Sequence, residues 1–176
     1  MAVSTRVETA IAVAEEMVAR HGPIRTIGVA RSQPSPQDPT SGWADSVAAG
    51  VLAAERRAPL LLTPTDSLHP AAAAWIDRQP MIDVAYVHGG DAAVSELAAT
   101  TARAAAGGRS CDAPLPSTCR FAGSGREDTA ARIAEVVLAE QPGSRVLLAR
   151  GDAFADAITG GAYAAAAGVP ILLTTV

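Results

Sequence analysis

The 176-residue chain is 49% hydrophobic and 18% charged, with 3% aromatic residues and a formal net charge of −4. It is too apolar for a disordered chain, and no apolar stretch reaches the roughly 18 to 20 residues that a membrane-spanning helix needs. A mildly acidic chain without a basic run also argues against nucleic acid as a partner. We therefore expect a compact chain of one domain or two small ones.

Every one of the 14 basic residues is arginine. A GC-rich genome explains this bias, and the functional alternative is that planar guanidinium groups suit carboxylates and phosphates better than lysine does. The chain has only 2 Trp, 2 Tyr and 2 Phe. These cannot supply both a core and the stacking platforms of single-strand nucleic-acid binders. Any polymer ligand would therefore be held by charge and hydrogen bonds.

The chain contains 2 cysteines, Cys111 and Cys119, in a loop-like segment. No histidine lies near them, which argues against a zinc site. A disulfide between them would stabilise the fold by about 2–3 kcal/mol and would indicate an oxidising compartment, whereas two free thiols are the alternative. The N-terminal segment is rich in glutamate and lacks the apolar core of a signal peptide. If the protein is exported, we expect its signal to lie outside this chain.

Predicted helices and strands alternate along the chain. The helices are predicted over residues 7–20, 43–57, 70–78, 92–106, 126–140 and 154–167, and the strands over residues 24–30, 59–63, 84–90, 119–123, 145–149 and 170–174. Asp91 is predicted to cap the fourth helix. Short apolar strands separated by helices indicate crossover connections. The predicted class is α/β, with a mostly parallel sheet and helices on both of its faces.

Two blocks of sequence occur twice in the same order. RVETAIAVAEE, which begins at Arg6, aligns with REDTAARIAEV, which begins at Arg126. GWADSVAAGVLAAERRAPLLLT aligns with AFADAITGGAYAAAAGVPILLT, which places Asp45 beside Asp156. Such a pattern indicates a duplication. We expect a first repeat, a linker and a second, truncated repeat over residues 1–106, 107–118 and 119–176; either the chain is a fragment or a partner chain completes its sheet.

Three segments also carry a family resemblance: RFAGSGREDTAARIAE, LLARGDAFADAITGGAYAAAAGVPILLT and VAYVHGGDAAVSELA. They resemble the cell-wall-binding repeat 2 family, which occurs as tandem copies in secreted and surface-layer proteins of Gram-positive bacteria. The resemblance implies a modified Rossmann-like α/β fold and non-covalent attachment to anionic cell-wall polymers. It also implies that other copies of the repeat are partners, since three repeats commonly assemble into a ring.

The resemblance further implies which residues carry function. The residues implied in ligand binding are Arg6, Thr9, Asp45, Gly123, Arg126, Thr129, Gly151, Asp152 and Asp156. The residues implied at repeat interfaces are Pro59, Leu60, Leu61, Leu62, Pro170, Ile171, Leu172 and Leu173. The implied location is the cell wall or cell surface of a secreted protein.

The ligand-binding residues also have structural interpretations. Arg6 and Arg126 begin helices, where a cation is unfavourable against the helix dipole. Each arginine is therefore expected either to form an ion pair with Asp45 or Asp156 or to contact an anionic ligand. The two aspartates are alternatively cap-like groups, and the threonine in the first turn of each helix is alternatively a hydrogen-bonding residue.

The sequence offers little for catalysis. Gly89 and Gly90 form either a tight turn or an anion site, and the GSG at residues 123–125 is an incomplete dinucleotide motif. No Walker motif or nucleophile elbow occurs, and the histidines are dispersed. We therefore expect a non-catalytic wall-binding module without metal or cofactor. The alternatives are a Rossmann-like enzyme or nucleotide- or sugar-binding domain, and a purely structural repeat that self-associates.

Overall fold

The computed structural model describes residues 5–112, 115–141 and 145–175. Within these ranges, helices and strands alternate, as the sequence predicts. The helices are α1 (Arg6–His21), α2 (Ala44–Glu55), α3 (Pro70–Asp77), α4 (Glu96–Ala105), α5 (Arg126–Glu140) and α6 (Phe154–Ala167). The strands are β1 (Thr26–Arg31), β2 (Leu60–Thr63), β3 (Val84–His88), β4 (Arg120–Phe121), β5 (Leu147–Arg150) and β6 (Ile171–Thr174).

The named strands form two separate parallel sheets. The larger sheet has the order β2-β1-β3-β4, and β5 pairs with β6 in the smaller one. All strand pairs within both sheets are parallel. The α/β class and the parallel pairing are confirmed, but the expectation of a single sheet is wrong.

Two hydrophobic cores explain why the sheets stay apart. The larger core combines apolar residues of α2, α5 and α6 with side chains from both sheets, among them Tyr86, Phe121 and Ile171. The smaller core lies against α1, α3 and α4 and is built around Trp75 and Ile27. Helices therefore cover both faces of the larger sheet. Because helices also occupy the core that the two sheets share, the sheets do not join edge to edge.

The two aligned blocks occupy equivalent positions in their sheets. Residues 28–31 of β1 lie opposite residues 60–63 of β2, and residues 147–150 of β5 lie opposite residues 171–174 of β6. Residues 60–63 and 171–174 are aligned in the second sequence block, whereas β1 and β5 lie outside the aligned blocks and are made equivalent by their pairing. The neighbours differ, however, because β1 also pairs with β3, whereas β5 pairs with β6 alone among the described residues.

One predicted helix start is wrong. The fourth helix begins at Glu96 with Ser95 as its cap, because the Ser95 hydroxyl accepts a hydrogen bond from the Ala98 amide at 3.2 Å. Asp91, which the sequence predicts as the cap, belongs to a turn instead. In that turn the Gly90 carbonyl accepts hydrogen bonds from the amides of the third and fourth residues after it.

Cys111 and Cys119 form a disulfide bond, with an S–S distance of 2.05 Å. Both cysteines are buried, and the bond closes a short loop that leads directly into β4. A loop of this length stabilises the fold by about 2–3 kcal/mol through loss of entropy in the unfolded chain. The alternative of two free thiols therefore does not describe this structure.

Candidate functional site

A crevice opens where β1, β3 and β4 end and where α2 and α5 begin. In open α/β sheets, ligands commonly bind beyond the carboxyl ends of the strands. We call it the strand-end crevice; its volume is about 300 Å³, and its lining includes Arg31, Asp45, Gly90, Ser124 and Arg126. Its other lining residues are Asp38, Ser41, Ala44, Ala92, Ala93, Gly123, Gly125, Glu127 and Thr129.

Arg126 ties the proline-rich loop, residues 32–42, to the second half of the chain. Its guanidinium forms an ion pair with Asp38, and Nη1 donates to Thr40 Oγ1 at 2.7 Å and to the Gly151 carbonyl at 2.5 Å. The guanidinium carbon also lies 5.9 Å from the centre of the Trp43 ring, within range of a cation–π contact. Arg126 therefore forms a structural ion pair. The expected partners, Asp45 and Asp156, are wrong.

Asp38 is held as a carboxylate by its own loop. Its Oδ1 accepts hydrogen bonds from the Thr40 amide at 2.9 Å and from the Thr40 hydroxyl at 2.6 Å. These bonds, and then the charges of Arg126 and Arg31, lower the pKa of the Asp38 carboxyl below its usual value. Asp38 therefore remains ionised and paired with Arg126 at neutral pH.

Asp45 also lines the strand-end crevice. Its Oδ2 is 2.5 Å from the position that a Cβ would take on Gly89, so the carboxyl packs directly on that glycine. Helices α2 and α6 begin without a side-chain cap, so the cap-like role predicted for Asp45 and Asp156 is wrong. Burial raises the pKa of the Asp45 carboxyl, and the charges of Arg31 and Arg126 offset part of this increase.

Replacing Asp45→Asn is expected to stabilise the protein at pH 7. The raised pKa means that the folded protein binds this proton more tightly than the unfolded chain does. Ionised Asp45 therefore lowers the free energy of unfolding, increasingly so as the pH rises through the folded-state pKa. Urea unfolding at pH 3 and pH 7 should show a gain for the variant at pH 7 only. A variant that is less stable than the native chain at pH 7 would contradict this assignment.

Arg31 is a residue of the crevice that the sequence analysis missed. It is the last residue of β1, and only 6% of it is exposed. Its Nη1 donates to Ser41 Oγ at 2.8 Å and its Nη2 donates to the Ala92 carbonyl. Arg31 and Arg150 end β1 and β5 opposite the aligned Thr63 and Thr174, so their equivalence follows from strand pairing rather than from the aligned sequence blocks.

A second depression, the outer groove, lies on the other side of the proline-rich loop. Its volume is about 490 Å³, and it is lined by Arg6, Pro34, Pro39, Thr40, Gly42, Trp43, Asp152, Ala153, Phe154 and Ala155. The Trp43 and Phe154 rings meet edge to face with centroids 6.3 Å apart. Asp152 is paired with Arg150 through a 2.7 Å contact. Arg6 lies exposed in this groove without a salt bridge among the described residues.

The structure brings together most of the residues predicted to bind a ligand. Asp45, Gly123, Arg126 and Thr129 line the strand-end crevice, and Arg6 and Asp152 line the outer groove. Gly151 joins these two sets through its bond to Arg126.

The two threonines differ, and Asp156 lies outside both depressions. Thr129 accepts a hydrogen bond from the Gly123 amide at 3.2 Å, whereas Thr9 bonds to the Thr5 carbonyl at 3.0 Å on an exposed part of α1. Asp156 is exposed in the first turn of α6 and lines neither depression.

The predicted interface residues lie in and beside strands β2 and β6. Ile171 and Leu173 belong to the larger core, and Leu60 packs against it. Leu61 instead belongs to the smaller core. The remaining members of the set are Pro59 and Pro170, which are buried, and Leu62 and Leu172, which are partly buried.

The helices fall into two classes according to how they begin. Helices α1, α3 and α4 are capped by the side chains of Thr5, His69 and Ser95. Helices α2, α5 and α6 follow Trp43, Gly125 and Ala153 and have no side-chain cap. Helix α1, which Thr5 caps, also begins at the outer groove with Arg6, and all three uncapped helices begin at the strand-end crevice or the outer groove. Their first amide groups therefore remain available to an anion.

Comparison with known proteins places this architecture in a family. The model of the family described as "Cell wall binding domain 2 (CWB2)" matches residues 2–99 and 120–176. The chain belongs to the cell wall binding domain 2 family. This confirms the resemblance drawn from the sequence motifs.

Three individual proteins are also similar to this chain. The chain is 35% identical over 134 residues to N-acetylmuramoyl-L-alanine amidase LytC of Bacillus subtilis (strain 168), a match that covers 76% of this chain and 24% of LytC. Its fold is similar to that of Cwp6 from Clostridium difficile, with a TM-score of 0.79, 26% identity, and coverage of 98% of this chain and 25% of Cwp6. For Cwp8 from the same organism, the TM-score is 0.76 at 25% identity, and coverage is 98% of this chain and 27% of Cwp8. This member of the family therefore spans about a quarter of the length of these relatives.

The described residues contain neither a metal-ligand cluster nor a candidate membrane span. Among residues 5–112, 115–141 and 145–175, no group of three or more His, Cys, Asp or Glu side chains is arranged to hold a metal ion. Among the same residues, no helix has the length and apolar character that a membrane span requires.

Proposed function

We propose that the chain is a non-catalytic module that holds a secreted or surface protein on the cell wall by binding an anionic wall polymer. The module consists of Rossmann-like tandem repeats, with the first repeat over residues 1–106, a linker over 107–118 and a truncated second repeat over 119–176. The observation that carries the proposal is the convergence of three uncapped helix N-termini with Arg6, Arg31 and Arg126 at one end of the strands. Membership of the cell wall binding family supports it.

The chemistry of this end of the molecule suits phosphate or carboxylate groups. Free amide groups at a helix N-terminus and the partial positive charge of the helix dipole both favour an anion. Arginine adds forked, charge-assisted hydrogen bonds. Each such contact is weak alone, but a polymer presents the same group many times, so that linked sites add through avidity. Such binding falls as salt screens the exposed charges.

The test measures binding of purified, acid-released wall polymer to the chain at 50 mM and 300 mM salt. Arg6→Gln is the informative variant because Arg6 is exposed in the outer groove and forms no salt bridge among the described residues. We expect roughly threefold weaker binding for this variant, and weaker binding of both proteins at the higher salt concentration. Arg132→Gln is the control, since Arg132 is an exposed arginine of α5 that lines neither depression. Equal loss in both variants, or no salt dependence, would contradict the proposal.

A further part of the proposal is that other copies of the repeat pack against this chain. The aligned helices α1 and α5 differ sharply in burial. Ile133 of α5 is 1% exposed and lies in the larger core, where α5 contacts α2. Its aligned residue in α1, Val13, is 55% exposed. The face of α1 that includes Val13 therefore corresponds to a face that α5 buries.

Helices α2 and α6 show the complementary difference. Leu52 of α2 is fully buried and Val47 packs against the larger core, which α5 and α6 also form. Their aligned residues in α6, Tyr163 and Ile158, are both 55% exposed. Within the chain, α2 packs against α5. The aligned helices α6 and α1 carry the corresponding apolar residues, but there these residues are exposed. A head-to-tail contact of this kind joins copies of the repeat.

Replacing Ile158→Glu is expected to abolish self-association without loss of stability. The side chain is exposed, so a charge there costs the monomer little, whereas it would be buried between copies. Sedimentation velocity from 10 to 500 µM should show concentration-dependent association of the native chain and a monomer for the variant. Leu97→Glu is the matched control because Leu97 is an exposed leucine on α4. A native chain that stays monomeric throughout would contradict this part of the proposal.

A further inference from the structure

Arg31 is a buried cation without an ionic partner. Its guanidinium donates to a hydroxyl and to a backbone carbonyl, and it forms no salt bridge within the described residues. Its Nε is inaccessible to solvent and has no hydrogen-bond acceptor. Guanidinium groups remain charged in proteins and carry five N–H donors, so burying one without a counter-ion is costly. Arg31 therefore has no salt-bridge partner within the described residues, its charge acts on Asp38 and Asp45 from beyond salt-bridge distance, and its Nε–H donor is unused.

The crevice has the size and the polar groups of a small-ligand site. Its volume of about 300 Å³ lies at the lower end of the range for such sites, roughly 300–1,000 Å³. The hydroxyls of Ser41 and Ser124 and the backbone of Gly90 lie on its walls beside Arg31. Helices α2 and α5 begin there without side-chain caps. The Ser41 hydroxyl already donates to the Asp38 carbonyl, and the Ser124 hydroxyl to Asp128. A sugar-sized unit with one anionic group would therefore find donors for its charge in the Arg31 guanidinium and the helix amides.

Asp45 faces this cation across the crevice and determines when an anion can enter. The charged groups that surround it are Arg31 on β1, Arg126 and Glu127 on α5, and Asp38 in the proline-rich loop. Asp38 is already committed to its bonds with Thr40 and Arg126, whereas no hydrogen bond reaches the Asp45 carboxyl within the described residues. An ionised Asp45 would repel an incoming anion, and a protonated Asp45 would donate a hydrogen bond to it.

His88, which precedes Gly89 at the end of β3, does not take part in this proton uptake. Burial lowers the pKa of His88 to about 3, so its imidazole is neutral throughout the range in which proteins are handled. Its ring stacks on Phe121 with centroids 5.4 Å apart, and its Nδ1 has no partner. Proton uptake that accompanies binding of a carboxylate in this crevice therefore belongs to a carboxyl group of the chain, whereas a phosphate ligand, with a second pKa of about 6, also takes up a proton itself.

We propose that the strand-end crevice binds a carboxylate or phosphate group carried on a sugar-sized unit, that Arg31 receives this group, and that Asp45 takes up a proton as it enters. The inference rests on the proposed function in that the anionic unit would be part of the wall polymer. On this inference Arg31 contacts the anionic group, and binding is tighter under mildly acidic conditions. Arg150, at the equivalent position in the second copy, is exposed and paired with Asp152, so the described part of that copy has no buried arginine at this position.

The first test is an NMR titration of the ¹⁵N-labelled chain with D-glucuronate, glucose 6-phosphate and glucose at pH 5.5 and 7.5. We expect saturable shifts of the Gly90 and Ser124 amides and of the Arg31 Nε–H signal. Binding of an anionic sugar should be at least tenfold tighter than that of glucose, and severalfold tighter at pH 5.5 than at pH 7.5. Tighter binding of glucuronate would assign a carboxylate, and tighter binding of the phosphate would assign a phosphate. Equal binding of glucose would overturn the inference.

Variants separate a ligand-binding role of Arg31 from a structural one. Arg31→Met keeps the length of the side chain but removes the charge, so we expect at least tenfold weaker binding with an unchanged or higher melting temperature. Arg31→Lys keeps the charge but loses the planar, forked donors of the guanidinium, so it should also bind severalfold more weakly. This variant tests the inference if Arg31→Met fails to fold. Asp45→Asn should bind glucuronate at pH 7.5 as tightly as at pH 5.5. Native-like affinity in both Arg31 variants, or pH dependence of glucuronate binding that persists in Asp45→Asn, would overturn the inference.

Wall sedimentation distinguishes this inference from the function on which it rests. If the native chain sediments with cell walls but neither anionic sugar reaches Arg31, the crevice inference is wrong and the proposed function stands. If an anionic sugar binds at Arg31 but the native chain does not sediment with walls, the proposed function is wrong and the crevice remains a binding site for an anionic sugar.

Discussion

Replacing Gly89→Ala is expected to lower the free energy of unfolding by about 2–4 kcal/mol, from backbone strain together with overpacking. Gly89 has a φ of +103°, a backbone conformation that side-chain-bearing residues rarely adopt. An added Cβ would lie 2.5 Å from Asp45 Oδ2 and 2.7 Å from Ala93 Cβ. Ala93 cannot withdraw freely because it is held in the turn after β3, so the strain at Gly89 persists even if the Asp45 carboxyl rotates away.

Gly90→Ala is the matched control for this prediction. An added Cβ on Gly90 meets nothing within 4 Å, and Gly90 is not among the glycines with positive φ. We expect its unfolding free energy to stay within about 0.5 kcal/mol of the native value, as for most surface changes. Urea unfolding of both variants measures the difference. Similar stability of the two variants would show that the Asp45 carboxyl does not pack on Gly89 as described.

Replacing Phe121→Ala is expected to destabilise the fold by about 3–5 kcal/mol, the usual cost of removing a buried aromatic ring. Phe121 is 1% exposed and contacts the Tyr86 ring edge to face, with centroids 5.7 Å apart. It also stacks on His88, which would lose the ring that covers it. Because β4 is only two residues long, this side chain is its principal anchor in the larger core.

Phe154→Ala provides the control with the same change in chemistry. Phe154 is 56% exposed and contacts Trp43 at the outer groove. We expect a loss of less than about 1 kcal/mol, because little apolar area leaves water at this position. Guanidinium unfolding followed by circular dichroism compares the two variants. Comparable losses would mean that β4 is not anchored in the core by Phe121.

Sequence patterns predicted α5 and α6 with their observed bounds because a glycine marks one end of each helix. Gly125 precedes α5, and Gly168, in a left-handed conformation, ends α6. The start of α4 was misplaced because two residues, Asp91 and Ser95, are both good caps. Turn bonds to Gly90 settle that choice, and these depend on the geometry at the end of β3.

The contacts of the site depend on residues far apart in the chain, which local patterns do not reveal. Arg126 was recognised as a charge that needs a partner, but Asp38 lies 88 residues away in a loop that has no aligned counterpart. Arg31 was overlooked because it ends an apolar strand and looks like an ordinary boundary residue. The split into two sheets likewise follows from packing in the larger core, since each strand alone has the composition of a buried parallel strand.

We propose that this chain binds the cell wall through an anionic polymer. The most direct measurement is co-sedimentation of the purified chain with Gram-positive cell walls, before and after acid extraction of their anionic polymers. We expect the chain to sediment with untreated walls, 300 mM salt to weaken the binding, and extraction to abolish it. Equal sedimentation with extracted and untreated walls, or no sedimentation with either, would contradict it.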